Sequence, residues 1–174
     1  MWPMNYKRTF IQNSAVFITI VTYKRKNILI DNISILRKSF QYAKTKYKFE
    51  IAAIVVLPNH IHMIIKPKTI TDYPKITGQI KIYFTKTSEL NYTSNKKRES
   101  NIWQRRYWEH TIIDEKDLNR HIDYIHYNPV KHKLVKAPKD WRFSSFRKFV
   151  KEGYYDENWY NAGDKNDIIN MELE

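Results

Sequence analysis

Residues 49–67, FEIAAIVVLPNHIHMIIKP, constrain the fold more than any other stretch of the chain. Two runs rich in apolar and β-branched residues flank Pro58 and Asn59, and Pro-Asn is turn chemistry. The pattern predicts a β-hairpin, with strands over 49–57 and 60–67. Side chains alternate faces along a strand, so His60 and His62 lie on the same side. Two imidazoles on one side of a rigid strand can share a metal ion. Ile61, Met63, Ile64 and Ile65 mark a core strand, with the histidine face pointing outward on the sheet. An H-x-H pair also fits packed or surface histidines, so its chemistry depends on what joins it.

The remaining elements follow from periodicity and punctuation. Residues 14–25, rich in β-branched and aromatic side chains, read as a first strand. Asn32 is placed to cap a helix over 33–47. Ile76, Ile80, Tyr83 and Phe84 recur at helical spacing within a second helix over 73–90. Residues 91–101 are polar and basic and read as a loop. Residues 101–113 read as a strand pair or one bent strand. Asp114 is placed to cap a third helix from Glu115, with Asp117 complementing its positive end. Pro129 disfavours helical geometry just before it, which predicts a helix end near Tyr127 or Asn128. The order β-α-β-β-α-β defines an α+β chain. It implies a ferredoxin-like, RRM-like sandwich: an antiparallel sheet with helices on one face.

Charge narrows the partner. The chain has 31 Lys+Arg against 18 Asp+Glu, a net charge of +13, which points to a polyanion, nucleic acid before membrane. The charge is uneven: beyond residue 151 stand seven acids and one base, leaving 30 bases and 11 acids in the body. The chain therefore divides into a basic domain, 1–150, and an acidic tail, 151–174. No cysteine occurs, which excludes disulfides and thiolate metal sites and is compatible with a reducing cytoplasm. Three glycines leave no glycine-rich phosphate loop. The longest apolar run, 51–57, is far short of the roughly 20 residues that span a bilayer. The first ten residues lack the apolar core of a signal peptide.

A second run, HIDYIHYNPVKHKLV over 121–135, carries the candidate nucleophile. Residues four apart share a helix face, so Asn128 lies beside Tyr124 if the helix persists that far. Its carboxamide oxygen would complete a three-ligand site with His60 and His62. Such a nitrogen/oxygen set with open positions suits Mg²⁺ or Mn²⁺ polarising a phosphate. A tyrosine, with an ordinary pKa of about 10, becomes a nucleophile only when activated or when its target is well neutralised. His121, one turn earlier, is either an aid to deprotonation or a helix-surface residue. In WQRRYWEH, Arg105 and Arg106 alternate with Trp103, Tyr107 and Trp108. Aromatics stack single-stranded bases while arginines hold phosphates. Tyr6, Lys7 and Arg8 add a smaller basic patch.

In the order LPNHIH, NIWQRRYWEH, HIDYIHYNPVKHKLV and DWRFSSF, the chain resembles the REP-associated tyrosine transposases from about residue 6 to residue 146. These are relatives of the single-tyrosine transposases of small bacterial insertion sequences, in the HUH endonuclease superfamily. The resemblance implies that His60 and His62 are the metal ligands and Tyr124 the nucleophile, with Tyr127 second. It gives Asn128 the place of a third ligand, where related transposases carry a glutamine. It implies metal-assisted cleavage of single-stranded DNA beside a hairpin, through a 5′-phosphotyrosine. It also implies a bacterial, nucleoid-associated protein and favours a monomer, with a homodimer of shared sites as the alternative. Lys133 departs from the pattern, which often has glycine there; a positive φ would make lysine a small strain. Two rival readings use the same residues. One is a non-catalytic DNA- or RNA-binding module, and the other a metallohydrolase using activated water.

Overall fold

The β-branched runs become the centre of a four-stranded antiparallel sheet. The computed structural model describes residues 14–94 and 100–159. In chain order the elements are β1 (Val16–Val21), α1 (Ile33–Lys46), β2 (Phe49–Val56), β3 (His60–Pro67), α2 (Tyr73–Thr87), β4 (Trp108–Thr111), α3 (Glu115–Lys131) and α4 (Phe146–Lys151). The sheet order is β2-β3-β1-β4, every neighbour antiparallel, as a βαββαβ chain requires. The expected hairpin is β2 and β3.

Helices α1 and α2 cover one face. Val16, Ile18 and Ile20 of β1 and Ile61, Met63 and Ile65 of β3 meet Leu36, Phe40 and Ala43 of α1 and Ile76, Ile80 and Phe84 of α2. The alternate residues face the other way, where α3 lies: Phe17, Val55 and Ile64 pack with Ile122, Tyr124 and Ile125. The sheet is thus covered on both sides, and every residue of β1 is buried. That is why its sequence is almost wholly apolar rather than alternating, with Thr19 the one polar residue. A register shift between Ile51 and Ala53 lets β2 serve both cores. One extra residue re-phases the strand, so Ala53 and Val55 point to α3 while Ile51 remains on the α1 side.

Three local expectations are corrected. Asn32 does not cap α1; its amide turns back and donates to Ile28 O at 2.8 Å. Residues 101–113 form neither a strand pair nor one bent strand. Trp103 makes a single bridge to Thr22, and only 108–111 form a strand. Helix α3 begins as read, with Asp114 accepting from the Asp117 N–H at 2.7 Å, but it runs through Pro129 to Lys131. Proline lacks one backbone donor and crowds the preceding turn. Here it sits in the last turn, and the end is closed by a Schellman motif. Leu134 N–H reaches Pro129 O, and Lys133 N–H reaches Val130 O, both at 2.9 Å. Lys133 supplies the left-handed residue this motif needs, at φ 56.

The chain after α3 returns to the edge of β2. Val56 N–H donates to Phe143 O at 2.8 Å, Ser145 N–H to Ile54 O at 2.9 Å, and Trp141 Nε1 to Val56 O at 2.9 Å. Beyond α4, the Tyr155 ring stacks on Phe146 at 5.4 Å, so packing against the body continues past residue 150. Among the described residues, no helix is long and apolar enough to cross a membrane.

Candidate active site

The register places Val21 opposite His60 and Thr19 opposite His62. Both histidines lie on the α3 face, with imidazole centroids 4.8 Å apart. The expected outward face is therefore covered: His60 is 1% exposed and His62 0%. Each ring is oriented through Nδ1. His60 donates to Asn59 Oδ1 at 2.6 Å, and His62 shares a hydrogen bond with Thr19 Oγ1 at 2.8 Å. A proton held on His60 Nδ1 leaves Nε2 with its lone pair, the tautomer a metal ligand needs. Both Nε2 atoms are buried.

Helix α3 brings the other residues. The Tyr124 ring stands edge-on to His62, centroids 5.2 Å apart, and packs against Phe17 at 6.1 Å. Asn128, one turn on, is fully buried, and neither its Oδ1 nor its Nδ2 has a hydrogen-bond partner among the described residues. An orphaned buried carboxamide is costly unless something else takes its oxygen. A hard cation held jointly with two imidazoles answers that cost, so the donor set fits Mg²⁺ or Mn²⁺.

Two residues that the sequence reading passed over also meet here. Lys131 Nζ donates to the Tyr124 hydroxyl at 3.4 Å and stands 4.9 Å above the ring centroid. The His132 ring lies 5.0 Å from that of His60. The signal was present as spacing, since positions 124 and 131 are two helical turns apart. It was hidden by the expected stop before Pro129.

His121 is not the helix-surface residue of the second expectation. It is buried, its Nδ1 lies 2.8 Å from Asp117 O and 3.0 Å from Asp117 Oδ1, and its ring stacks on His110 at 4.7 Å. His110 Nε2 lies 2.7 Å from Asp117 Oδ2. Burial pushes the Asp117 carboxyl up, but hydrogen bonds from His110 and the Ile113 N–H, with the charges of both imidazoles, hold it below the usual range. This trio has the residue types of a metal site. Its two rings are only 12° from parallel, however, and in-plane lone pairs on stacked rings cannot meet at one ion. The trio instead pins the first turns of α3 to β4.

A second polar cluster seats the middle of α3. His126 Nε2 lies 2.8 Å from Ser145 Oγ, and its Nδ1 lies 3.4 Å from the Tyr155 hydroxyl. Tyr155 donates to Asp123 Oδ1 at 2.5 Å. Burial pushes the His126 imidazole down to about 3 and the Asp123 carboxyl up.

The expected DNA-contacting residues divide. Arg105 and Arg106 are exposed, and Trp108 is half-buried on the histidine face. Trp103 does not belong with them. It is 2% exposed and packs against Phe84 at 5.1 Å, so it offers no ring face to a base. Tyr6, Lys7 and Arg8 lie outside the described residues.

A buried tyrosine facing a histidine pair, on one face of a sheet of order β2-β3-β1-β4, defines the type of site. The family described as "Transposase IS200 like" matches residues 9–128. A Haemophilus influenzae relative, named as a REP-associated tyrosine transposase, is 43% identical over 89% of this chain and 92% of its own. The REP-associated tyrosine transposase of Escherichia coli strain K12 is 38% identical over 94% of this chain and 93% of its own. A solved REP-associated tyrosine transposase bound to a REP hairpin superposes with a TM-score of 0.83 at 35% identity, covering 98% of this chain and 96% of that one. The chain belongs to the IS200-like transposases, an enzyme family, and within them to the REP-associated tyrosine transposases.

Proposed function

We propose that this protein cuts and rejoins single-stranded DNA beside a hairpin through a 5′-phosphotyrosine on Tyr124. The observation that carries the reading is the buried seat of Tyr124 against His62, with the orphaned Asn128 carboxamide one turn away. His60 Nε2, His62 Nε2 and Asn128 Oδ1 would hold a divalent cation, Mg²⁺ or Mn²⁺. When bound, it would polarise the scissile phosphate and offset its charge. Thr19 and Asn59 keep the two rings from turning away. The Tyr124 hydroxyl gives its proton to water and its oxygen attacks phosphorus. The P–O3′ bond breaks, and the 3′-oxygen takes a proton from water. Rejoining is the reverse, with a 3′-hydroxyl attacking the tyrosyl phosphate, so no nucleotide cofactor is needed.

A hairpin substrate is supported by the REP hairpin bound to the solved relative. Arg105, Arg106 and Trp108 would meet its flanking strand, with Tyr6, Lys7 and Arg8 adding to the contact. Tyr124 and the histidines come from one chain, which supports a self-contained monomer; the bacterial relatives and the net charge of +13 support a place on the nucleoid in the bacterial cytoplasm. Residues 1–150 would be the transposase domain, and 151–174 an acidic appendage beginning at the packed end of α4. The non-catalytic alternative, with bases stacked on an open sheet, is disfavoured because α3 covers that face.

The test is a denaturing gel of the protein with labelled hairpin oligonucleotides, with Mn²⁺ or with chelator. A metal-dependent, protease-sensitive adduct is expected, and Tyr124→Phe should bind DNA but form none. An adduct in the Phe variant would refute the assignment. Cleavage without an adduct would make water the nucleophile.

A further inference from the structure

We propose that Lys131 is a catalytic residue of this reaction, its ammonium holding the negative charge on the Tyr124 oxygen both when that oxygen attacks and when it leaves. The proposal rests on the phosphotyrosine reading above. Its basis is a contact with the reacting atom itself, since Lys131 Nζ lies 3.4 Å from the Tyr124 hydroxyl. The ammonium also stands 4.9 Å over the ring face, so the aromatic side chain holds the cation at the oxygen end.

The backbone is arranged to keep it there. At 100° per residue, position 131 falls about 20° from position 124 around α3, and Asn128 about 40°. This alignment exists only because the helix continues through Pro129. A helix ending at Asn128 would send Lys131 elsewhere. Continuing costs a backbone hydrogen bond at Pro129, and closing the end puts Lys133 in the left-handed region at φ 56. Two unfavourable backbone features lie within five residues of one contact at the nucleophile, as expected where local strain serves a site. His121 is engaged elsewhere: it lies three residues toward the N-terminus with its Nδ1 held by Asp117 and its ring stacked on His110, whereas the hydroxyl reaches toward residue 131.

The chemistry needs no further reactant. As the Tyr124 O–P bond forms and the P–O3′ bond breaks, charge leaves the phenolic oxygen. In rejoining, the O–P bond to Tyr124 breaks and the charge returns. A fixed cation beside that oxygen stabilises it in both directions without transferring its own proton.

The experiment measures single-turnover adduct formation on a hairpin oligonucleotide, and rejoining from the isolated adduct. The variants are Lys131→Met and Lys131→Arg. Lys131→Met should slow both directions about 100-fold, a usual loss for one donor to a developing oxyanion, with hairpin affinity and Mn²⁺ binding unchanged. Lys131→Arg, which keeps the charge, should recover most of the rate. A substrate with sulfur in place of the bridging 3′-oxygen separates the two ends of the reaction. If Lys131 serves Tyr124, the defect persists on this better leaving group. If it vanishes there, Lys131 serves the 3′-oxygen and the proposal fails. Equal rates for Lys131→Met and wild type would also overturn it. An inactive wild-type protein would instead refute the underlying phosphotyrosine reading.

Discussion

Replacing His126 with glutamine should make the protein less stable at pH 7 and more stable at pH 5. His126 is fully buried and faces Ser145 and Tyr155, and burial pushes its imidazole down to about 3. An unfolded histidine titrates near 6.5. Below that pH the unfolded chain takes up a proton that the folded chain refuses, so stability is lost as pH falls, levelling off only near 3. The slope is about 1.4 kcal/mol per pH unit, which gives about 2 kcal/mol lost between pH 6.5 and pH 5. Glutamine has no such proton. It lacks the Nδ1 that faces the Tyr155 hydroxyl at 3.4 Å and the ring that packs on Phe149 at 4.7 Å, which costs about 1 kcal/mol at every pH. The two stability curves should therefore cross at about pH 5 to 6. Urea unfolding followed by tryptophan fluorescence, in chelator at pH 7, 6 and 5, measures this directly. Taking the difference between variant and wild type cancels the other titrating groups. A difference that stays constant from pH 7 to 5 would refute the reasoning, because a buried neutral histidine must produce the slope.

Two further outcomes follow from the backbone and the ligand shell. Lys133→Gly should stabilise the fold by about 0.5–1 kcal/mol, since the left-handed penalty at φ 56 exceeds the entropy glycine adds to the unfolded chain. A melting temperature about 1–4 °C higher is the readout. Thr19→Val should weaken Mn²⁺ binding roughly 10- to 100-fold while leaving hairpin binding intact, because it removes the hydroxyl 2.8 Å from His62 Nδ1. Unchanged affinity by calorimetry would mean that packing alone orients this imidazole.

Local chemistry was the legible part of this chain. The hairpin, the shared face of His60 and His62, and the Asp114 cap each depend on residues within about four positions of one another. The errors arose where residue chemistry allowed several partners and the fold chose among them. Pro129 is a helix breaker by its own geometry, yet the Schellman bonds from Leu134 and Lys133 carry α3 past it. Asn32 has the right chemistry for a cap, but the carbonyl of Ile28 takes its amide. Trp103 matched a base-stacking pattern, and Phe84 of α2, 19 positions away, decided instead that it is core. The site followed the same division. Tyr124 and Asn128 could be read as an i, i+4 pair, whereas Lys131 required knowing where the helix ends. Nothing in the local pattern marks Tyr155 as the donor to Asp123, 32 residues earlier.

The return of residues 143–145 to the edge of β2 has a consequence for the order in which the chain folds. The strands bearing the histidine pair are joined by a three-residue turn, so this half of the centre is a local structure that closes quickly. The seat of Tyr124 is not local. Ser145 bonds Ile54 across 91 positions and His126 across 19, and Trp141 anchors Val56 across 85. A chain made from its N-terminus therefore holds the histidine hairpin well before α3 has anything to lock it in place. The histidine pair and Tyr124 mature at different moments, and the last stretch of the body to be synthesised joins them.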